Sequence, residues 1–164
     1  MRDIWLISDT HFGHSNIIGY CDRPFDNARE MDEAMVERWN ETVKDGDIVY
    51  HLGDVYFGSE GASCLPKLKG RKRLILGNHD NGKDQRLLAA FQKIVVWRMF
   101  PEFGLLLTHV PVHEHTLRDK CPKNVHGHIH ERSIPDDRYV CVSVEHTNYT
   151  PVHIETLASV GVAA

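Results

Sequence analysis

The chain lacks cysteines at any paired spacing: its four, Cys21, Cys64, Cys121 and Cys141, are widely scattered. That pattern argues against a disulfide framework and a zinc knuckle and leaves buried or incidental thiols. It also lacks an opening apolar stretch of membrane length, since Ile4-Trp5-Leu6-Ile7 runs directly into Ser8-Asp9-Thr10-His11. A signal peptide or a bilayer span needs far more apolar residues, so a cytoplasmic protein without membrane contact is expected. No linker or shift of composition divides the 164 residues, and residues 1–164 are read as one domain. Excess positive charge is missing as well: the formal net charge is -4, and no basic stripe with interleaved aromatics is evident. This argues against a surface that coats nucleic acid and leaves room for a locally positive site.

What the chain does have is an ordinary globular balance, 41% hydrophobic and 26% charged residues, together with 12 histidines. A core alone does not require that many imidazoles. Histidine is the commonest metal ligand, so metal binding becomes the question put to the rest of the sequence.

Leu74-Ile75-Leu76-Gly77-Asn78-His79-Asp80 is a short apolar run stopped by glycine and followed by an amide, an imidazole and a carboxylate. It reads as a buried strand whose end opens into a functional loop. The pattern recurs. Ile4 to Ser8 gives way to Asp9-Thr10-His11-Phe12-Gly13-His14, and in extended chain the spacing of Asp9 and His11 puts both side chains on one face. Ile48 to Leu52 ends in Gly53-Asp54, and Leu105 to Thr108 delivers His109. Asn124-Val125-His126-Gly127-His128-Ile129-His130 alternates three imidazoles with small or apolar residues.

Between these strands, Asp26 or Asn27 can cap a helix from about Ala28 to Val43, with Glu30 placed to close a capping box on Asn27. Met31, Ala34, Met35, Trp39 and Val43 form its apolar face. Ser59 to Leu68, which carries Gly61 and Pro66, predicts one short helical turn or two. Lys83 to Gln92 reads as helix. Ile94 to Phe100, Tyr139 to Val144 and Val152 to Leu157 read as further strands, with a turn at Pro101 to Gly104. The basic run Lys67, Lys69, Arg71, Lys72 and Arg73 reads as a solvated turn, and nothing in Ala158 to Ala164 suggests chemistry.

Strand ends and the loops after them thus supply Asp9, His11, Asp54, Asn78, His109, His128 and His130. These are too many donors for one small transition-metal site. They suit two ions that share a carboxylate and keep open positions for water and substrate. With no cysteine among them, imidazole and carboxylate suit Mn, Fe, Zn, Co or Ni without choosing among them, and two divalent ions are the expected cofactors. Two such ions against the charges of Asp9 and Asp54 leave a site about two charges positive, which attracts an anion.

The order and spacing of these blocks resemble those of the calcineurin-like metallophosphoesterases. Asp-x-His stands at Asp9 and His11, Gly-Asp at Gly53-Asp54, Gly-Asn-His-Asp at Gly77 to Asp80, a lone histidine at His109, and Gly-His-x-His at Gly127 to His130. The resemblance implies an α/β fold, a four-layer α/β/β/α sandwich of two mixed sheets without a large cap domain. It implies one ion on Asp9, His11 and His130, another on Asn78, His109 and His128, and Asp54 as the bridge. His79 would be the catalytic histidine that contacts the phosphate or leaving group without binding metal. Some family members orient that histidine with an acidic residue three positions after the bridging aspartate; Phe57 stands there in this chain, and Asp80 is the candidate substitute.

The implied activity is hydrolysis of a small phosphodiester, with monoesters also open, by a hydroxide bridging the two ions. A nuclease of the same fold and a non-catalytic scaffold that binds a protein partner stand as alternatives. Nucleic acid enters as a substrate only, and self-association into a homo-oligomer is left open. His14, one short turn beyond His11, Arg23, whose guanidinium could fork onto a phosphate, and His113 are candidate substrate contacts, against plain loop or salt-bridge roles.

Overall fold

The structure, a computed structural model, describes residues 3–158, so the tail beyond Ala158 lies outside the described residues. Along the chain come β1 (Ile4–Ile7), α1 (Ser15–Tyr20), α2 (Ala28–Thr42), β2 (Ile48–His51), α3 (Gly58–Ala62) and β3 (Arg71–Ile75). There follow α4 (Gln85–Ala90), β4 (Lys93–Val95), β5 (Trp97–Phe100), β6 (Leu105–Thr108), β7 (Lys123–His126), β8 (Tyr139–Cys141) and β9 (Val152–His153). Two mixed sheets result, with orders β4-β3-β2-β1-β9 and β5-β6-β7-β8. Strands β1 to β4 are parallel and β9 antiparallel in the first; β6, β7 and β8 are parallel and β5 antiparallel in the second. No helix among the described residues is long and apolar enough to cross a membrane.

Side-chain alternation along each strand builds two cores. Leu6, Tyr50 and Ile75 of the first sheet meet Phe100, Leu105, Leu107 and Val125 of the second in the layer between the sheets. Their neighbours Ile7, Val49 and Leu74 face the other way, against Ile17, Met31, Met35, Trp39 and Leu87 from the helices. Each fully buried side chain of this kind contributes about 1.5–3 kcal/mol. The helices lie on the first sheet; the outer face of the second is covered by the segment 110–121, in which Val112 N donates to the buried Asn124 Oδ1 at 3.0 Å.

Local signals account for α2. Asn27 caps it by accepting from Glu30 N at 3.0 Å, and Glu30 Oε2 in turn accepts from Asp26 N at 2.9 Å, one residue before the position a capping box uses. Three expectations are corrected. The run Ile94 to Phe100 is not one strand: Val96 separates β4 in the first sheet from β5 in the second, because the chain crosses between sheets there. The end of the basic run is not turn, since Arg71 to Arg73 pair with β2 in β3. Val152 to Leu157 holds only the two-residue β9 before a 3-10 turn at Ile154–Thr156.

The parallel strands β1, β2, β3, β6 and β7 bring their carboxyl ends to one edge, where parallel β-structures place their ligands. At that edge the sheets are joined: Ser8 N donates to Val142 O at 3.0 Å and Val144 N to Ser8 O at 3.1 Å.

His51 sits fully buried at the end of β2 with both nitrogens used. Its Nδ1 accepts from Gly53 N at 3.2 Å, so Nε2–H donates to Thr10 Oγ1 at 2.9 Å, and that hydroxyl donates to Val55 O at 2.8 Å. Only the neutral ring satisfies this chain, and burial pushes His51 down to about 3. A depressed pKa stabilises the native state above the unfolded value near 6.5 and loses that contribution as pH falls through 3. Metal-free protein is therefore expected to lose several kcal/mol between pH 6.5 and 3. A His51→Gln variant should be weaker at neutral pH but flatter across this window, read by circular dichroism at a series of pH values.

Candidate metal centre

Two groups of side chains that could hold a metal ion converge at the joined edge, Asp9, His11 and His130, and Asp54, His109 and His128, and a further such group, Cys21, His130 and Glu145, shares His130 with the first. Asp54 lies between the first two, its Oδ2 standing 3.7 Å from His11 Nε2 and 3.4 Å from His109 Nε2. Asp9 Oδ1 is 4.0 Å from the Nε2 atoms of both His11 and His130. Asn78 completes the second group, with Oδ1 2.8 Å from His109 Nε2 and 2.9 Å from His128 Nδ1. All seven residues singled out as donors are thus gathered in one place.

The convergence does not come from extended backbone, as the Asp9 and His11 spacing suggested. Asp9, His11, Asp54, His128 and His130 all adopt left-handed conformations, with φ of 58°, 51°, 57°, 70° and 51°. Such non-glycine residues cost on the order of 1–3 kcal/mol each and gather where function demands them. The turns swing the side chains inward from chain ends that point along the sheet. Glycines let the loops interlock: a methyl group on Gly77 would collide with Asp54 Oδ1, and one on Gly127 with Asp9 Oδ2 and Ser8 Oγ.

Hydrogen bonds occupy one oxygen of each aspartate and leave the other facing the imidazoles. Asp9 Oδ2 accepts from Ser143 Oγ at 2.8 Å and His128 N at 2.9 Å; Asp54 Oδ1 accepts from His79 N at 2.9 Å. His109 Nδ1–H donates to Leu52 O at 2.7 Å, which turns the Nε2 lone pair toward Asp54 and Asn78. Burial would raise Asp54, but with no cation bound a proton on His109 Nε2 makes that ring a charged hydrogen-bond donor, which outweighs burial and holds the carboxyl at about 2. Burial would likewise lower His109, yet the neighbouring carboxylates push it up: the arrangement calls for positive charge.

The donors fit metal ions. Asp9 Oδ1 and His11 Nε2 are buried without any hydrogen-bond partner, a costly condition that a bound cation relieves. Ligands about 2.0–2.2 Å from one ion lie roughly 3–3.5 Å from each other; the second group, at 2.8 to 3.4 Å, is near that spacing, and the first, at 4.0 Å, is wider. Asn78, His79 and His128 are exposed, so the centre is open on that side.

Asp80 does not orient His79. Its carboxylate is spent on backbone, accepting from Gly77 N at 2.8 Å, Asp54 N at 2.9 Å and Val55 N at 3.0 Å, and so clips the loops after β2 and β3 together. The His79 side chain is half exposed, with Nε2 4.0 Å from Asp54 Oδ2 and its ring 5.4 Å from that of Phe57. His14 is beside the first group, Nδ1 at 3.2 Å from His11 Nδ1 and ring stacked on Phe57 at 4.2 Å.

Two expected substrate contacts are corrected. Arg23 is buried, and its guanidinium is consumed by Glu145 Oε1 and by the carbonyls of Asp9 and Thr10, leaving no fork for a phosphate. His113 belongs to neither group; it starts a 3-10 turn, its Nδ1 accepting from His115 N at 3.2 Å, in the segment that covers the second sheet. Sequence reasoning missed Glu145, which accepts from His130 Nδ1–H at 3.2 Å, and the buried Asp32, whose carboxylate accepts from Gly13 N at 3.0 Å. Neither lies in a motif: Glu145 follows a strand end without a glycine, and Asp32 sits inside a helix.

The chain matches the calcineurin-like phosphoesterase superfamily domain over residues 2–147. It is 37% identical to an uncharacterised protein of Methanocaldococcus jannaschii, an alignment that covers 96% of this chain and 90% of that one. The Gene 66 protein of Mycobacterium phage L5 is 30% identical, covering 82% and 80%. The crystal structure of a protein of unknown function from Aquifex aeolicus superposes with a TM-score of 0.80 at 25% identity, over 96% of this chain and 98% of that one. The ordered ligand blocks, the pair of facing mixed sheets and these similarities agree, and the chain belongs to the calcineurin-like phosphoesterase superfamily.

Proposed function

We propose that the protein is a two-metal phosphoesterase that hydrolyses small phosphodiesters, with Mn as its preferred metal among Mn, Fe, Zn, Ni and Co. The observation that carries this reading is the pair of donor groups sharing the Asp54 carboxylate, each with nitrogen lone pairs aimed at it. Asp9, His11 and His130 would hold one ion and Asn78, His109 and His128 the other, with Asp54 between. When bound, the two ions supply Lewis-acid activation of water and charge neutralisation at phosphorus. The remaining work falls to the chain. Asn78 donates a neutral oxygen, which keeps the site positive for a phosphate.

His79 projects at the open side near Asp54, placed to give a proton or hydrogen bond to the departing oxygen. The exposure of Asn78, His79 and His128 supports a diester, because an open site admits substituents on both sides of phosphorus. Phe57, where some relatives carry an acid, offers an apolar ring beside His79 for one of those substituents.

The test strips the protein of metal and assays an aryl phosphodiester and an aryl phosphomonoester while Mn, Ni, Co, Zn and Mg are added back singly. Metal-dependent turnover, greatest with Mn and on the diester, is the expected result. No metal-dependent turnover of either ester would sink the assignment.

A further inference from the structure

The Arg23–Glu145 pair is out of place as a stabilising device. Both side chains are almost wholly removed from water, the guanidinium at 0% exposure and the carboxylate at 6%, and they meet at 2.7 Å across 122 residues of chain. Buried ion pairs of this kind rarely stabilise a fold more than well-packed apolar residues would. What distinguishes this one is the set of atoms it touches. Arg23 Nη2 donates to Asp9 O at 2.8 Å and Nη1 to Thr10 O at 3.0 Å, fixing the two consecutive carbonyls that join Asp9 to His11 within their strained turn. Arg23 Nε and Nη2 both reach Glu145 Oε1, and the same oxygen accepts from His130 Nδ1–H at 3.2 Å. That bond keeps the proton on Nδ1 and leaves Nε2 unprotonated toward Asp9 Oδ1.

One buried unit thus holds His130 directly and, through the Asp9 and Thr10 carbonyls, the turn that carries Asp9 and His11. Among the described residues no charged side chain stands behind an imidazole of the other group: His109 Nδ1–H is held by the neutral backbone carbonyl of Leu52, and His128 Nδ1 faces the Asn78 amide oxygen. Accordingly, we infer that Glu145, anchored by Arg23, is a positioning residue for the Asp9–His11–His130 ion alone, fixing the tautomer and direction of His130. This rests on the two-metal reading above. A carboxylate behind a ligand imidazole also raises its basicity, and losing such a partner typically weakens metal binding about 10–100-fold.

The experiment is calorimetric titration of Mn into metal-stripped full-length protein, with thermal melting of each variant to follow the fold. Wild type should take up two ions. Glu145→Ala should keep one with unchanged affinity and bind the other about 10–100-fold more weakly. Because that change strands a buried guanidinium, two further variants remove both charges: Arg23→Met with Glu145→Gln, and Arg23→Met with Glu145→Leu. The glutamine version retains an oxygen for His130 Nδ1–H and should bind that ion more tightly than the leucine version, which offers none. Equal weakening of both ions, or equal affinities for the two double variants, would overturn the inference while leaving the two-metal reading standing. Wild type that binds no Mn would overturn both.

Discussion

An Asp54→Asn variant is expected to lose metal from both donor groups at once and to slow turnover by on the order of a thousandfold or more, about 4 kcal/mol of transition-state stabilisation. The reason is geometric. Asp54 Oδ1 is already committed to His79 N, so Oδ2 alone faces His11 and His109, one from each group. An amide has one acceptor oxygen for these two tasks. If it keeps the bond to His79 N, its NH2 points at two nitrogen lone pairs; if it flips, that backbone N–H loses its partner. A further negative charge is removed from a place where His109 is drawn toward protonation. Metal analysis after dialysis against a limited excess of Mn should read near zero for the variant. Retention of one full equivalent would show that the two groups bind independently and that Asp54 does not bridge them.

His79→Ala is expected to leave metal content unchanged and to lower kcat by about 10²–10⁴-fold, the range for a lost general acid. The separation of effects follows from which atoms do what. The bond to Asp54 comes from the backbone N–H of residue 79, which alanine keeps, whereas the imidazole is half exposed and belongs to neither donor group. The defect should depend on the ester. A leaving group that departs readily without protonation, such as p-nitrophenolate, should suffer little, and an alkoxide should suffer most. Equal losses for both would remove the proton-donor role, and loss of metal would place His79 among the ligands. Asp80→Asn should act differently, since that carboxylate holds three backbone N–H groups and touches the chemistry only through loop position.

Local chemistry made much of this legible. An apolar run, a glycine and a polar cluster is a pattern within a few residues, and it located Asp9, His11, Asp54, Asn78, His109, His128 and His130 without any knowledge of what they face. The Asn27 cap and the apolar stripe of α2 are equally local, set by bonds three and four residues apart. Where local pattern misled, a distant partner had intervened. Ile94 to Phe100 is an apolar run broken only by Arg98, as one strand could be, but its two halves pair with β3 and with β6. Arg23 reads as a surface guanidinium until Glu145 is brought against it. Asp80 looks like a partner for its neighbour His79, yet the backbone of the adjoining loops claims it first.

The amino-acid sequence by itself determined the family, the order of the strands' apolar runs and the seven candidate donor residues, because those depend on residue type and short spacing. Only the tertiary structure decided that left-handed turns and not extended chain aim the donors, and that a buried carboxylate stands behind His130. Such features arise when strand ends from two sheets meet. The sequence separation of the partners, 122 residues for Arg23 and Glu145, leaves no short-range trace of their contact.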